Sequence, residues 1–245
     1  MSFRNIAIIC LFVLNSACQS HDTPATSLAL TAEGGRLYDK WWAELKLAKP
    51  MSTHPSYPAS GNKKGASTWR CKECHGWDYK GAEGAYATGS HYTGIKGIQR
   101  LSGANQASIL AILKDSTHRY GDVMTDAALE RIADFVSTGQ VDNSRYIDPK
   151  TTQAKGDADK GKPIFNQWCQ ACHGNQGNKI NFKDQQHPEY VGTVAFENPW
   201  EALHKFRHGQ PSGFVGGAPM PHMNDKLSQQ QQADLLRYLQ TLPVK

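Results

Sequence analysis

Cys71-Lys72-Glu73-Cys74-His75 and Cys169-Gln170-Ala171-Cys172-His173 stand 98 positions apart in a chain of 245 residues, and their reading decides the fold. Each places two thiols three positions apart, on one side of a helical turn. A histidine follows the second thiol at once. The chain has six cysteines: Cys10 and Cys18 fall near the N-terminus and the other four make the two motifs. None is left over for a structural disulfide.

Thiols so spaced reach the two vinyl groups of a single porphyrin, and the adjoining histidine projects under the ring as an axial iron ligand. The motifs therefore predict two haem c groups, bound through Cys71 and Cys74 and through Cys169 and Cys172, with His75 and His173 as proximal ligands. Paired Cys-x-x-Cys motifs also hold zinc, but zinc does not explain a histidine at the same offset twice. A thiol–disulfide redox pair expects a βαβ setting, which the flanking sequence lacks.

Arg4, the apolar run Ile6–Leu14 and the small or polar Asn15, Ser16 and Ala17 read as an export signal over residues 1–18. No later apolar run is long enough to span a bilayer. Cys18 leaves two readings open: a lipobox-like site that tethers the chain to a membrane surface, or simple cleavage near Ala17 or Ser20. Both predict a periplasmic protein, soluble or lipid-anchored. The formal charge of +5 becomes +4 when Arg4 leaves with the signal, and four haem propionates bring it to about zero. No basic cluster follows a helix face or alternates with aromatics, so no nucleic-acid partner is expected. Redox proteins are the expected partners.

An internal repeat surrounds the motifs. The offset of 98 also carries Tyr92-Thr93-Gly94 onto Tyr190-Val191-Gly192; an offset of 93 aligns Asn105 with Asn198, and 103 aligns Met124-Thr125 with Leu227-Ser228. Upstream, Tyr38 and Trp41 match Phe165 and Trp168 at 127, which leaves about 29 extra residues before the first motif. Each unit reads as helical. Ile164, Phe165 and Trp168 form an apolar face running into the second motif; Asn198-Pro199-Trp200-Glu201 and Ser228-Gln229-Gln230-Gln231 read as helix starts. Leu129, Ile132, Ala133 and Val136 share one face in the first unit, as Leu235, Tyr238 and Leu239 do in the second. Residues 49–67, rich in Pro, Ser, Gly and Lys, read as an exposed loop.

These features resemble class I c-type cytochromes in the tandem two-haem arrangement of the cytochrome c4 kind. The resemblance rests on Cys-x-x-Cys-His after an N-terminal helix, then Met220-Pro221, then the closing helix at Leu227-Ser228. Pro188-Glu189-Tyr190-Val191-Gly192 looks like the family's Pro-x-Leu-x-Gly segment. The resemblance implies an all-α fold of two tandem class I cytochrome c domains, each a small helical bundle around one covalent haem. The boundaries are 31–139 for the first, with an inserted loop at 43–70, 140–154 for the linker and 155–245 for the second. It further implies that the Pro188 carbonyl orients His173. Ser90 replaces that proline in the first half, which puts the same device in doubt there.

For the sixth ligand of the second iron, Met220 lies seven positions before Leu227, where the resembled family places its methionine. Met223 and His222 are alternatives, and Met223 suits a core role. In the first half Met124 takes the place of Leu227, and seven positions upstream lies Thr117 with His118 beside it. His118 is therefore favoured as the ligand, with Met124 as the other candidate. Since methionine ligation raises potential, a His75/His118 haem would be the lower of the two and the pair a directional relay. His91 is expected to hydrogen-bond near the first haem, His21 and His54 to be solvated, and His187, His204 and His208 to lie at the surface. The tryptophans are expected to wall the pockets and fill the core. Two filled irons predict an electron carrier. The alternative is a di-haem oxidoreductase acting on a small inorganic substrate at the first haem, which needs a displaceable sixth ligand there. A sensor or a subunit of a larger complex is a third reading.

Overall fold

The computed structural model describes residues 24–211 and 219–244. The export-signal reading, Cys18 and His21 lie outside those residues. The described chain is helical: α1 (Pro24–Glu44), α2 (Cys71–His75), α3 (Gln106–Lys114), α4 (Asp126–Asp134), α5 (Ala158–Trp168), α6 (Gln170–His173), α7 (Val191–Glu197), α8 (Pro199–His208) and α9 (Gln229–Leu239). Among the described residues there is no strand, only the isolated bridges Gly81–Lys96 and Ile147–Ala154. No described helix is long and apolar enough to cross a membrane.

The helix starts follow the side chains that cap them. Asn105 accepts the Ala107 and Ser108 N–H groups at the head of α3, and Asn198 accepts Glu201 N–H at the head of α8. Thr125 caps α4. Ser228 and Gln231 form a reciprocal capping box on α9. Met124 and Leu227, each just before its cap, are both buried.

Two hydrophobic clusters result. The first packs α4 against α1 and α3 and includes Leu37, Trp41, Leu129 and Ile132. The second packs α9 against α5 and α8 and includes Phe165, Leu203, Leu235 and Leu239. Each such side chain contributes about 1.5–3 kcal/mol when fully buried. The same close approach organises both. A Cβ on Gly34 would stand 2.1 Å from the Arg131 carbonyl, and one on Gly161 would stand 2.0 Å from that of Asp234. Gly34 and Gly161 differ by 127 positions and Arg131 and Asp234 by 103, the offsets already seen in the sequence. The two helix pairs therefore touch at equivalent glycines.

The repeat is not carried everywhere. Val191-Gly192 opens α7, whereas Thr93-Gly94 belongs to an irregular loop and Tyr92 is half exposed. The segment joining the clusters is itself packed: Ile147 and Ala154 enter the second cluster, and Asn143 accepts from the buried Arg207 guanidinium at 2.6 Å.

The clusters meet where α1 crosses α8. His204 lies between them, 1% exposed: its Nε2–H donates to the Gly35 carbonyl at 3.0 Å, and its Nδ1 accepts the Tyr79 hydroxyl proton at 2.8 Å. His208, fully buried, stands against Phe135. Both were expected at the surface. Their burial comes from contact with the other half of the chain, which local polarity does not report. Asp39 is buried at the same junction and accepts from both Arg70 and Lys205.

Candidate haem sites

The first motif is fastened at both ends to α1. The Trp69 carbonyl, just ahead of it, accepts from Trp41 Nε1 at 3.1 Å and from the Tyr120 hydroxyl at 2.9 Å. The Gly76 carbonyl, just after it, accepts from the Tyr38 hydroxyl at 2.7 Å. Gly76 itself, at φ 79°, takes the left-handed turn that ends the helix.

His75 is oriented through its Nδ1–H, which donates to the Lys96 carbonyl at 2.7 Å. That carbonyl is placed by pairing of 79–82 with 95–98, through Ala82 N–H to Ile95 at 2.8 Å and Ile98 N–H to Tyr79 at 2.8 Å. Burial pushes the His75 imidazole down to about 4, so it is neutral near pH 7 with Nε2 as its free lone pair.

Across from it stands His118. Its Nδ1–H donates to Asp115 at 3.1 Å, which again leaves Nε2 for a ligand. The two imidazole centres are 6.3 Å apart with planes 22° from parallel. With imidazole–metal bonds of about 2 Å and each ring's half-width behind its nitrogen, two axial imidazoles on one metal stand roughly 6 Å apart centre to centre. Cys71, Cys74, His75 and His118 all line one cavity of about 360 Å³, whose walls include Tyr38, Ile98, Ile109, Leu113, Ile132 and Val136. Two thiols, two opposed imidazoles and apolar walls fit a covalently held porphyrin. Met124 is buried in the first cluster and does not line the cavity.

The thiol chemistry agrees. Burial pushes Cys71 up to about 12 and, with the neighbouring Cys71, Cys74 also to about 12; burial raises Cys169 to about 11. Thiol redox catalysis works through thiolates stabilised by positive surroundings, which these sites do not supply. Among the described residues no group of three or more His, Cys, Asp or Glu is arranged to hold a metal ion.

The second motif repeats the first in its backbone. Gly174 also sits at φ 79°. Gly81 N–H donates to the His75 carbonyl and Lys179 N–H to that of His173, both at 2.9 Å and both six positions on. Its surroundings differ. Cys169 packs against the second cluster while Cys172 is exposed. Met220 is partly buried against that cluster, and its carbonyl accepts Gln210 N–H at 3.0 Å. Met223 is 4% exposed inside the core, as expected of it. His222 is partly buried with Asp225 3.5 Å away.

Comparison with known proteins assigns the family. Residues 156–239 match the model of cytochrome C oxidase, cbb3-type, subunit III. The chain is also similar to the cytochrome c-553-like protein of Synechocystis sp. (strain ATCC 27184 / PCC 6803 / Kazusa), 34% identical over 99 residues, which span 39% of this chain and 82% of that relative. The chain belongs to the cytochrome c family. No solved structure matches it.

Within this cytochrome c, one expectation is reversed. The motif histidine oriented by a carbonyl is His75, in the half that lacks the proline, because the 79–82/95–98 pairing supplies Lys96. His173 Nδ1 is buried with no hydrogen-bond partner, and no hydrogen bond joins it to Pro188. Trp41, Trp42 and Trp69 serve the first cluster, Trp168 is 39% exposed, and no tryptophan lines the cavity at the first motif. His91 bonds Glu73 inside the first motif at 2.6 Å. His187 is exposed. His54 was missed. It is buried, lines the cavity and donates from Nε2 to the His118 carbonyl at 2.9 Å. Its sequence neighbours are polar, so only the contact itself reveals it.

Proposed function

We propose that this chain is a periplasmic di-haem c-type cytochrome that passes single electrons between redox proteins. The first haem is held by Cys71 and Cys74 and ligated by His75 and His118; the second is held by Cys169 and Cys172 and ligated by His173 and Met220. As a cytochrome c, the chain transfers electrons; the haem supplies a one-electron iron couple whose potential depends on the axial pair. The observation that carries the di-haem reading is the duplicated backbone of the two Cys-x-x-Cys-His-Gly turns, down to the amide that closes each one. For the carrier reading it is the opposed pair His75 and His118, which would hold the iron from both sides and leave no place for a substrate. Around the first site the residues exclude water and orient the imidazoles rather than move protons.

Quantitative haem assay by alkaline pyridine tests this reading. Two haems per chain are expected, falling to one in Cys169→Ser/Cys172→Ser. A count of one in the unaltered chain overturns the di-haem reading. The weak far-red band of ferric iron bound to methionine sulfur should report one haem in two. Carbon monoxide taken up readily by the reduced protein would shift the reading to an oxidoreductase acting at the first haem. Cell fractionation and lipid labelling with and without Cys18→Ala test the periplasmic location and the tether.

A further inference from the structure

The insertion between α1 and the first motif runs against the segment that carries His118. The His54 ring packs at 4.4 Å from Trp69 and 5.7 Å from Tyr120, centre to centre. Its Nδ1 accepts the Ser56 N–H at 3.1 Å, which fixes its proton on Nε2, and that Nε2–H donates to the His118 carbonyl at 2.9 Å. The Ser56 hydroxyl donates to the preceding carbonyl, that of Thr117, at 2.6 Å. Thr68, at the far end of the insertion, accepts the His54 N–H at 2.8 Å and so holds the ring's own backbone.

From the other side Asp115 accepts the N–H groups of Thr117 and His118 at 2.9 and 2.8 Å. Arg119 follows at φ 54°. A non-glycine residue in the left-handed region persists where its surroundings over-determine the backbone. Here they do: residues 117–119 are held by an aspartate within the segment and by two donors from the insertion. In the second half α5 leads into the motif at once, so no insertion there supplies such donors.

We infer that the inserted loop is a latch on the first haem's sixth ligand. His54 and Ser56 are positioning residues that hold the His118 backbone so that its imidazole stays opposite His75, keeping this iron closed to added ligands. The inference rests on the reading of His118 as an iron ligand.

The test uses the full-length holoprotein. His54→Phe keeps a ring against Trp69 and Tyr120 but removes the donor; Ser56→Ala removes the second donor; His54→Gln restores an N–H. Carbon monoxide uptake after reduction, and the high-spin ferric signal before it, measure the open fraction of the first haem. That fraction is expected to rise about fivefold for each hydrogen bond lost, further in the double variant, and to return towards the parent value in His54→Gln. The far-red methionine band of the second haem should not move. If the folded double variant takes up no more carbon monoxide than the parent while His118→Ala opens fully, the latch is overturned and the ligand assignment stands. An unchanged spectrum in His118→Ala removes the ligand assignment and the latch with it. Should His54→Phe fail to fold, Ser56→Ala, at an exposed residue, carries the same comparison.

Discussion

The two Cys-x-x-Cys-His-Gly turns are nearly one object in backbone and two objects in setting. Both end in a glycine at φ 79°, and both close on an amide six residues after the histidine. Yet His75 is tied to a carbonyl, faced by a second imidazole and covered by an added loop, while His173 Nδ1 is buried without a partner. The difference shows that the motif by itself builds a turn and nothing more. What surrounds that turn is decided by segments far away in sequence: α1, the insertion and the 95–98 strip. The first site carries more fasteners because the first half has more chain to make them from.

The comparison can be broken most directly at the sixth ligands. His118→Ala should open the first haem to carbon monoxide and leave the methionine band intact. Met220→Ala should abolish that band and leave the first haem closed. Absorption and magnetic circular dichroism spectra of both variants check this, and any crossover between the haems breaks the assumed independence of the sites.

Next in size is the buried charge at the junction of the halves. Asp39 is 1% exposed and accepts from Arg70 and Lys205; burial opposes its ionised form, but the two cations outweigh that and hold its carboxyl well below the usual range. Asp39→Ala takes the carboxylate from two partly buried cations, leaving Arg70 the Asp39 backbone carbonyl and both cations the Trp77 ring, and should cost about 2–3 kcal/mol. Urea denaturation should show that loss. The second half contains no equivalent carboxylate, since offset 127 places Asn166 there.

Acid should act on the same junction. Burial lowers His204 from 6.5 to about 3, so the unfolded chain binds a proton that the folded one refuses. Stability is then complete above about pH 6.5 and declines as pH falls towards 3. Burial opposes ionisation of Glu73 too, yet His91 and Lys72 bring it down to about 2; its contribution is present above its ordinary 4.5 and is lost as pH falls towards 2. Melting temperature measured from pH 7 to pH 3 should fall, and His204→Gln should flatten the upper part of that fall.

The smallest effect separates Tyr38 from its counterpart Phe165. The Tyr38 hydroxyl holds the Gly76 carbonyl, and Phe165 has no such group to offer. Tyr38→Phe should cost about 1–2 kcal/mol, measured by denaturation.

Much of this was legible in the sequence because it is written in local side chains. The motifs, the caps at Asn105, Asn198 and Ser228, and the periodic faces of α4 and α9 follow from spacing and from groups that act within a few residues. His118 emerged from sliding one half over the other, a comparison of the chain with itself. The carbonyl of Lys96 could not emerge so. Any residue carries a carbonyl, and the one that reaches His75 is chosen by how 79–82 pairs with 95–98. Likewise His54, His204 and His208 look polar and solvated until helices or loops from elsewhere close over them.

By itself, then, the sequence determined that the chain is helical and that one Cys-x-x-Cys-His motif recurs in it, because side-chain spacing and helical periodicity act over a few residues. Only the tertiary structure decided that the two attachment turns have unlike surroundings. Burial, the acceptor for each imidazole and the closure over the first cavity depend on contacts between residues far apart in sequence, as Gly35 and His204 are at 169 positions.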